Sequence, residues 1–152
     1  MIACKVIEPG MADEGYRAVR IEVFVREQNI PIEKEFDEWD AAAWHIVLLE
    51  DGVPVATGRY LCTGENEYKL GRIAVVKQKR GTGLGRQVVE AMMDGAKAIG
   101  AEVLWLSAQV QAIGFYEKLG FSVCDGVHDE CGVPHRNMIF EKLSQNYSRF
   151  SS

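Results

Sequence analysis

The spacing of apolar residues along the chain predicts a domain that contains both strands and helices. Tyr16, Val19 and Val23 recur at helical spacing, so residues 11–27 are expected to form an amphipathic helix. The dipeptide Asp51-Gly52 separates two apolar runs and is typical of a tight hairpin turn. The first half of the chain therefore provides one helix and four predicted strands, at residues 2–7, 44–50, 53–62 and 68–76.

The second half changes to an alternation of helices and strands. A long amphipathic helix is predicted from the glycines at 81–85 to Gly100. The apolar strand at 103–107 is expected to be buried on both faces and to run parallel to strand 68–76, because a helical crossover joins the two. The remaining predicted elements are a helix at 110–119 and strands at 121–123 and 137–143.

The order of these elements and the chain length indicate a single α/β domain. The predicted order is β, α, βββ, α, β, α, ββ, and a chain of 152 residues can bury a core without disulfides or metal. We expect one domain over residues 1–143, followed by a frayed polar tail at 144–152.

Charge and composition exclude several classes of protein. The net charge of -5 disfavours a nucleic-acid partner, because binding to phosphates needs a basic surface. No apolar run approaches the roughly 20 residues of a membrane-spanning helix, so no membrane association is expected. The four cysteines include no CxxC pair, so no metal site is expected. Because the first residues lack an export signal, we expect reduced thiols and a cytoplasmic protein.

One short segment, residues 77–86, concentrates the candidate chemistry. It lies between a predicted strand and the start of the long helix, where the first backbone amides have no partner within the helix. Its glycines allow these amides to converge on phosphate oxygens, and its cationic side chains add local positive charge. A diphosphate is the expected ligand, and the candidate binding residues are Gln78, Lys79, Arg80, Gly81, Thr82, Gly83, Leu84, Gly85 and Arg86.

Three kinds of phosphate-binding loop place glycines between a strand and a helix, as this segment does. A P-loop would place Lys-Ser or Lys-Thr after the glycines, and a dinucleotide site would have GxGxxG after the first strand of its unit. Neither pattern is present. The hexapeptide QKRGTG at 78–83 instead matches (R/Q)-x-x-G-x-(G/A), the acyl-coenzyme A signature of the GNAT acyltransferase superfamily. A nucleotide-binding α/β protein is kept as an alternative.

A second segment strengthens the resemblance to GNAT proteins. The decapeptide AIGFYEKLGF at 112–121 resembles the GNAT motif A-x-x-(F/L)-Y-x-x-x-G-F and follows the first motif at the expected distance. The peptides FVREQ, SAQ and GVPH further resemble the ElaA/YjcF-like subgroup, so the resemblance extends over roughly residues 17–142. Gln109 stands where many members of the superfamily have asparagine, and it offers the same amide at longer reach.

This resemblance implies a fold, a co-substrate and a reaction. The implied fold is a mixed central sheet of six to seven strands, flanked by about four helices, with a splayed pair of parallel strands. The implied reaction is direct transfer of an acetyl group from acetyl-CoA to a primary amine, on a small molecule or on a protein lysine or N-terminus. A non-catalytic acyl-CoA-binding module is the alternative, and a homodimer is left open. Beyond the loop, the implied cofactor contacts are Ile73, Ala74, Val75, Gln109, Phe115 and Tyr116.

The candidate catalytic residues follow from the same resemblance. Tyr116 is expected to protonate or hydrogen-bond the leaving thiolate, and the base that deprotonates the amine is sought among Glu27, His135 and His45. The acidic run at 33–40 either attracts a cationic acceptor or forms a solvated loop. The residues expected to contact the acceptor are Phe24, Glu27, Gln28 and His45.

Overall fold

The computed structural model describes residues 1–140, and these contain seven strands. The strands are β1 (Ile2–Ile7), β2 (Trp44–Glu50), β3 (Val53–Gly64), β4 (Glu67–Val75), β5 (Val103–Gln109), β6 (Phe121–Glu130) and β7 (Val133–Phe140). They form one mixed sheet with a single parallel pair, in the order β1-β2-β3-β4-β5-β7-β6. The predicted α/β fold is therefore confirmed. The predicted tail at 144–152 and the end of predicted strand 137–143 lie outside the described residues.

Four α-helices accompany the sheet in the described part of the chain. They are α1 (Glu14–Arg20), α2 (Ile32–Glu35), α3 (Leu84–Ala98) and α4 (Ile113–Glu117). None of these helices has the length and apolar content that crossing a membrane requires. Three single 3₁₀ turns occur at Glu38–Ala41, Lys77–Lys79 and Val110–Ala112.

The predicted first helix differs from the observed one at its start and in its winding. It begins at Glu14 rather than at residue 11, because the side chain of Asp13 accepts hydrogen bonds from the amides of Gly15 and Tyr16 and so caps the first turn. After Arg20 the backbone continues into a π-helical segment, Ile21–Glu27. Such segments are rare and are often found at functional sites.

The chain folds as two compact units. The first combines Met1–Leu61 with Leu70–Gly95. The second combines Cys62–Lys69 with the part of the described chain that follows Gly95.

In the first unit, β1, β2 and β3 form an antiparallel meander. Ile2 lies opposite Glu50 and Trp44 opposite Tyr60. Asp51 and Gly52 both have positive φ angles, of 50° and 84°, as a two-residue hairpin turn requires. The predicted hairpin is confirmed.

Helix α3 packs closely on β3 within this unit. A Cβ atom at Gly58 would lie 2.7 Å from Met92 Sδ and 2.8 Å from Val88 Cγ1, so glycine permits the close approach. Leu84, Val88, Met92 and Ala96, which recur at three- to four-residue spacing, are buried, whereas Ile99, beyond the end of α3, is exposed. The helix therefore starts at the glycine-rich segment and is anchored by its apolar face.

In the second unit, β5, β7 and β6 form an antiparallel sheet. Leu104 lies opposite Phe140 and Phe121 opposite Phe140, and all three side chains are buried. The prediction that strand 103–107 is buried on both faces is wrong. Burial in β5 alternates, because Trp105 and Ser107 point to the half-exposed face while Leu104 and its alternates point to the core.

The hairpin of β6 and β7 is much longer than predicted. The sequence predicted strands at 121–123 and 137–143 and a turn region around His135, whereas β6 extends to Glu130 and β7 begins at Val133. Cys131 and Gly132 form the turn, with φ angles of 52° and 80°. Residues 124–130 are mostly polar and exposed, so backbone pairing forms this part of the strand without an apolar pattern to reveal it.

Candidate active site

The glycine-rich segment links the end of β4 to the start of α3. After β4 the backbone makes the 3₁₀ turn Lys77–Lys79, and Gly81 and Gly83 then adopt φ angles of 80° and 86°. A Cβ atom at either glycine would meet no atom within 4 Å, so the left-handed backbone is what requires glycine there. The Thr82 hydroxyl donates a 2.6 Å hydrogen bond to the Lys79 carbonyl and holds the turn.

Six consecutive backbone amides, at residues 81–86, donate to no acceptor in the described part of the chain. The helical ladder begins with the Gln87 amide, which donates to the Gly83 carbonyl at 3.1 Å. The amides before it lie at the positive end of the α3 dipole, and most of residues 81–86 are exposed. This arrangement is suited to an anion with several oxygens.

The cationic side chains around this loop already have carboxylate partners. Lys79 pairs with Glu50, and Arg86 lies 3.3 Å from the carboxylate of Glu90 one helical turn later. A bound diphosphate would therefore compete with carboxylates of the protein for these cations.

Arg80 joins the loop to the candidate base Glu27. Its Nη1 and Nη2 atoms each donate a 2.6 Å hydrogen bond to one carboxylate oxygen of Glu27, and its Nε donates to the Val75 carbonyl at 3.0 Å. This pairing lowers the pKa of Glu27 and raises that of Arg80. The predicted base and a predicted phosphate ligand are thus partners in the ligand-free protein.

The π-helical segment positions Glu27 and its neighbours. The Gln28 amide donates to the Val23 carbonyl, five residues earlier, and the Ile30 amide donates to the Phe24 carbonyl. Gln28 is exposed and Phe24 is half-buried, so both predicted acceptor contacts lie at or near the surface of the first unit.

Most of the acidic side chains in the run at 33–40 form ion pairs with arginines and are not freely solvated. Arg20, which is 1% exposed, donates at 2.8 Å to Glu35, which is 2% exposed, and at 2.7 Å to Asp40. Arg59 donates to Asp37 and to Asp40, at 2.8 Å each. Arginines from α1 and β3 therefore neutralise three of the five acidic side chains, so the solvated-loop interpretation is wrong for those three, and attraction of a cationic acceptor stays a prediction.

These ion pairs set the ionisation of the segment. The arginines hold the pKa of Asp40 at about 2 and keep the pKa of Asp37 below its usual range, although partial burial acts in the opposite direction. The pKa of Arg59 is correspondingly raised by its two carboxylate partners.

Arg72 connects this network to β4. Its φ angle is 52°, a conformation that residues other than glycine rarely adopt within a strand. Its guanidinium donates to the Glu35 carbonyl at 3.2 and 3.3 Å, and its Nε lies 3.0 Å from the Glu35 carboxylate in an ion pair. The ion pairs hold the strained backbone of β4 two residues before Ala74, within the predicted cofactor-binding stretch 73–75.

His45 is inside the first unit rather than on its surface. It is 1% exposed, its ring stacks on Tyr16 at 3.9 Å, and its Nε2 lies 3.0 Å from the Asp40 carbonyl. Burial lowers the pKa of its imidazole, so the ring is neutral and Nε2–H donates to that carbonyl. From this position His45 holds the acidic segment through Asp40, and its burial does not favour contact with an acceptor.

Tyr116 lies in α4, in the second unit. Its ring contacts Phe115 at 5.0 Å and Phe121 at 6.2 Å, both edge to face. Burial raises the pKa of the Tyr116 hydroxyl to about 12. Phe115 is exposed, and the Gln109 side chain, at the end of β5, accepts a 2.5 Å hydrogen bond from Gln111.

His135 belongs to a polar cluster that the sequence did not reveal. Its Nδ1–H donates to the Val133 carbonyl at 2.8 Å, and its ring lies 6.1 Å from that of His128. His128 Nε2 lies 2.7 Å from Glu130 Oε2 and 3.1 Å from Ser107 Oγ, and Ser107 also donates to Glu130. The dipeptide Cys131-Gly132 was the sequence signal that could have revealed this cluster, because a tight turn there places residues 128 and 135 opposite each other.

No group of three or more His, Cys, Asp or Glu side chains within residues 1–140 is arranged to hold a metal ion.

A mixed sheet whose fourth strand leads through a glycine-rich turn into the start of a long helix has the architecture of an acyl-CoA-dependent acyltransferase. The model of the acetyltransferase (GNAT) family matches residues 13–121, and the chain belongs to this family. The predicted membership is thus confirmed.

Individual relatives agree with the predicted ElaA/YjcF-like subgroup. The chain is 39% identical to the uncharacterized N-acetyltransferase YjcF of Bacillus subtilis over 122 residues, which cover 80% of this chain and 86% of that protein. Its structure is similar to that of Escherichia coli ElaA, with a TM-score of 0.81 and 26% identity over 91% of this chain and 99% of the other. It is equally similar to an acyl-CoA N-acyltransferase from Pseudomonas aeruginosa, with a TM-score of 0.82 and 27% identity over the same shares of the two chains.

Proposed function

We propose that the protein transfers an acetyl group from acetyl-CoA to a primary amine by direct attack in a ternary complex. The observation that carries this proposal is the run of six backbone amides at 81–86, at the positive end of α3, for which residues 1–140 provide no acceptor. The diphosphate of coenzyme A has the charge and the number of oxygens to occupy them. Membership of the GNAT family supports acyl transfer as the activity.

The remaining cofactor contacts are proposed from the family resemblance. The loop residues Gln78 to Arg86 bind the diphosphate, and the backbone of Ile73, Ala74 and Val75 pairs with the amides of the pantetheine arm as an added strand would. Gln109, Phe115 and Tyr116 are proposed as further contacts with the cofactor.

The amine must lose a proton before it can attack. A lysine-like amine has a pKa near 10.4, so freeing its lone pair at neutral pH costs roughly 4–5 kcal/mol. His135 is suited to accept this proton, because its Nδ1–H is used by the Val133 carbonyl and its Nε2 lone pair is left available. Glu27 can serve as a base only after Arg80 releases it.

Tyr116 is proposed to stabilise the leaving thiolate by a hydrogen bond rather than by full proton transfer. Its pKa of about 12 exceeds the roughly 8.5 of a thiol, so complete transfer would be uphill by about 5 kcal/mol. A hydrogen bond donated to the sulfur as negative charge develops avoids this cost.

Binding and turnover together test the proposal. Calorimetric titration with acetyl-CoA should detect binding, and a free-thiol assay should detect coenzyme A release that depends on an added primary amine. Gly83→Ala should weaken acetyl-CoA binding by about tenfold or more, because alanine is strained at this φ angle and the amides move. Gly126→Ala is the matched control, since Gly126 has ordinary φ and open space around it.

The outcomes separate the candidate functions. Binding without acceptor-dependent thiol release, over a broad panel of amines, would support the non-catalytic module instead. If millimolar acetyl-CoA produces neither heat nor a rise in melting temperature, the proposed function is wrong, because a ligand that binds the native state must stabilise it.

A further inference from the structure

We propose that Ser107, His128, Glu130 and His135 form the acceptor site, where Glu130 binds a protonated aliphatic primary amine and His135 takes its proton. This inference rests on the proposed function and adds to it the chemical class of acceptor and the residues that receive it. Glu130, His128 and Ser107 have no part in the glycine-rich loop or in the predicted acceptor set.

Three strands of the second unit bring these side chains together. Ser107 comes from β5, His128 and Glu130 from β6, and His135 from β7. In the strand register His135 lies opposite both His128 and Gln109. The cluster thus sits on paired strands, where side-chain positions are well defined.

The hydrogen bonds of the cluster converge on one oxygen of Glu130. A carboxylate can only accept, so Ser107 Oγ–H and His128 Nε2–H both donate to Glu130 Oε2. Glu130 Oε1 receives no hydrogen bond from the described residues, and the Glu130 side chain is 43% exposed. One carboxylate oxygen is therefore held by two donors, and the other has no donor among the described residues.

The remaining hydrogen-bonding capacity of the cluster consists of acceptors. Glu130 Oε1 and Ser107 Oγ keep lone pairs, and His135 keeps its Nε2 lone pair because Nδ1–H is used by Val133. An ammonium group has three donors and no acceptor, so it complements this set. A carboxylate or phosphate ligand would meet lone pairs only.

Glu130 supplies the negative charge of the cluster. Hydrogen bonds from Ser107 and His128, with a smaller contribution from the Lys69 ammonium, keep the pKa of Glu130 below its usual range despite its partial burial. Glu130 is therefore ionised at neutral pH. Lys69, in β4, lies with its Nζ 4.8 Å from the centre of the Trp105 ring.

The bound R–NH₃⁺ gives one proton to His135 Nε2, and the freed nitrogen lone pair forms a bond to the thioester carbonyl carbon. The carbon–sulfur bond breaks, and the sulfur leaves with the electron pair. The amide nitrogen releases its second proton to solvent, the thiolate takes a proton from solvent, and His135 returns its proton to solvent, so that one proton is released in each turnover.

Kinetics with two amines test the site. The probes are 1,4-diaminobutane, which is cationic at neutral pH, and aniline, which is uncharged there. Glu130→Gln should raise the KM for 1,4-diaminobutane by about 10- to 100-fold, the worth of a hydrogen bond to a charged group, while the KM values for aniline and acetyl-CoA stay within about twofold. The matched control is Glu102→Gln, because Glu102 is an exposed residue of the same unit whose carboxylate accepts no hydrogen bond within residues 1–140.

Direct binding provides a second measurement that needs no turnover. Addition of 1,4-diaminobutane to the complex with coenzyme A, which has no acetyl group to transfer, should shift the ring NMR signals of His128 and His135 in the wild type and not in Glu130→Gln. An unchanged KM in Glu130→Gln, or no ring shift up to about 10 mM diamine, would overturn the acceptor site. The absence of any acetyl-CoA binding would instead overturn the proposed function.

Discussion

Arg80 and Glu27 form a two-point ion pair between the glycine-rich loop and the end of the π-helical segment. The two residues are 53 positions apart in the chain, and each of the two hydrogen bonds measures 2.6 Å. Arg80 is a proposed ligand of the diphosphate, and Glu27 is a proposed base for the amine. Each residue must therefore leave the ion pair to perform its proposed role. A diphosphate that draws Arg80 away would free the Glu27 carboxylate.

We therefore expect Glu27→Gln to strengthen acetyl-CoA binding by about 3- to 10-fold. The substitution removes the negative charge that competes with the diphosphate for Arg80. Calorimetric titration at low ionic strength measures the effect. Glu33→Gln, which removes an exposed carboxylate with no hydrogen-bonded partner among the residues that the structure describes, should leave the affinity unchanged. Weaker binding in Glu27→Gln would indicate that the ion pair positions Arg80 for the phosphate rather than competing with it.

The network around Asp40 makes stability depend on acid pH. The pKa of Asp40 is lowered in the folded protein to about 2, so its contribution to stability is complete above the unfolded value near 4 and is lost as pH falls from about 4 towards 2. Asp40→Asn should lower the melting temperature at pH 7 and should lose less stability than the wild type between pH 4 and pH 2. Thermal unfolding followed by circular dichroism measures both.

Asp94→Asn controls for the general effect of removing a carboxylate. Asp94 is exposed on α3 and makes no ion pair in the described part of the chain, so its replacement should leave the acid dependence of the wild type intact. Equal acid sensitivity in Asp40→Asn and the wild type would show that the three-arginine network does not carry the effect.

Tyr116 gives a prediction about both rate and pH dependence. Tyr116→Phe should lower kcat by about 10- to 1,000-fold with little change in acetyl-CoA affinity. Because its pKa is about 12, the hydroxyl stays protonated throughout the working range, and the shape of the pH–rate profile should be the same in the wild type and the variant. Tyr68→Phe is the control for loss of a half-buried phenol. A wild-type rate in Tyr116→Phe would remove this residue from the mechanism.

The parts of the molecule that the sequence predicted are those encoded by local pattern. The apolar runs gave the bounds of β1 and β2, and the dipeptide Asp51-Gly52 gave the turn after β2. The loop was predicted from its glycines. Gly81 and Gly83 occupy backbone conformations that other residues avoid, so the fold requires glycine at these positions and the sequence shows it. Family membership followed from these local motifs.

The parts that the sequence did not predict depend on partners distant in the chain. Arg20, Arg59 and Arg72 neutralise an acidic run that lies up to 37 residues away, and no spacing rule marks such pairs. The cluster around Glu130 was missed because its strand is polar on both faces and so has no alternation. Its position emerged only from the pairing of β6 with β7.

His135→Gln distinguishes a proton acceptor from a merely structural residue. Glutamine can keep a hydrogen bond to the Val133 carbonyl but cannot accept the proton of the amine, so kcat should fall by about 10²- to 10⁴-fold while the KM values change little. Rates measured across pH separate the two roles, because the profile of His135→Gln should differ from that of the wild type. His128→Gln, which removes the neighbouring ring, should keep the wild-type profile. A wild-type pH profile in His135→Gln would direct the search for the base to Glu27, whose release from Arg80 could then be measured in the acetyl-CoA complex.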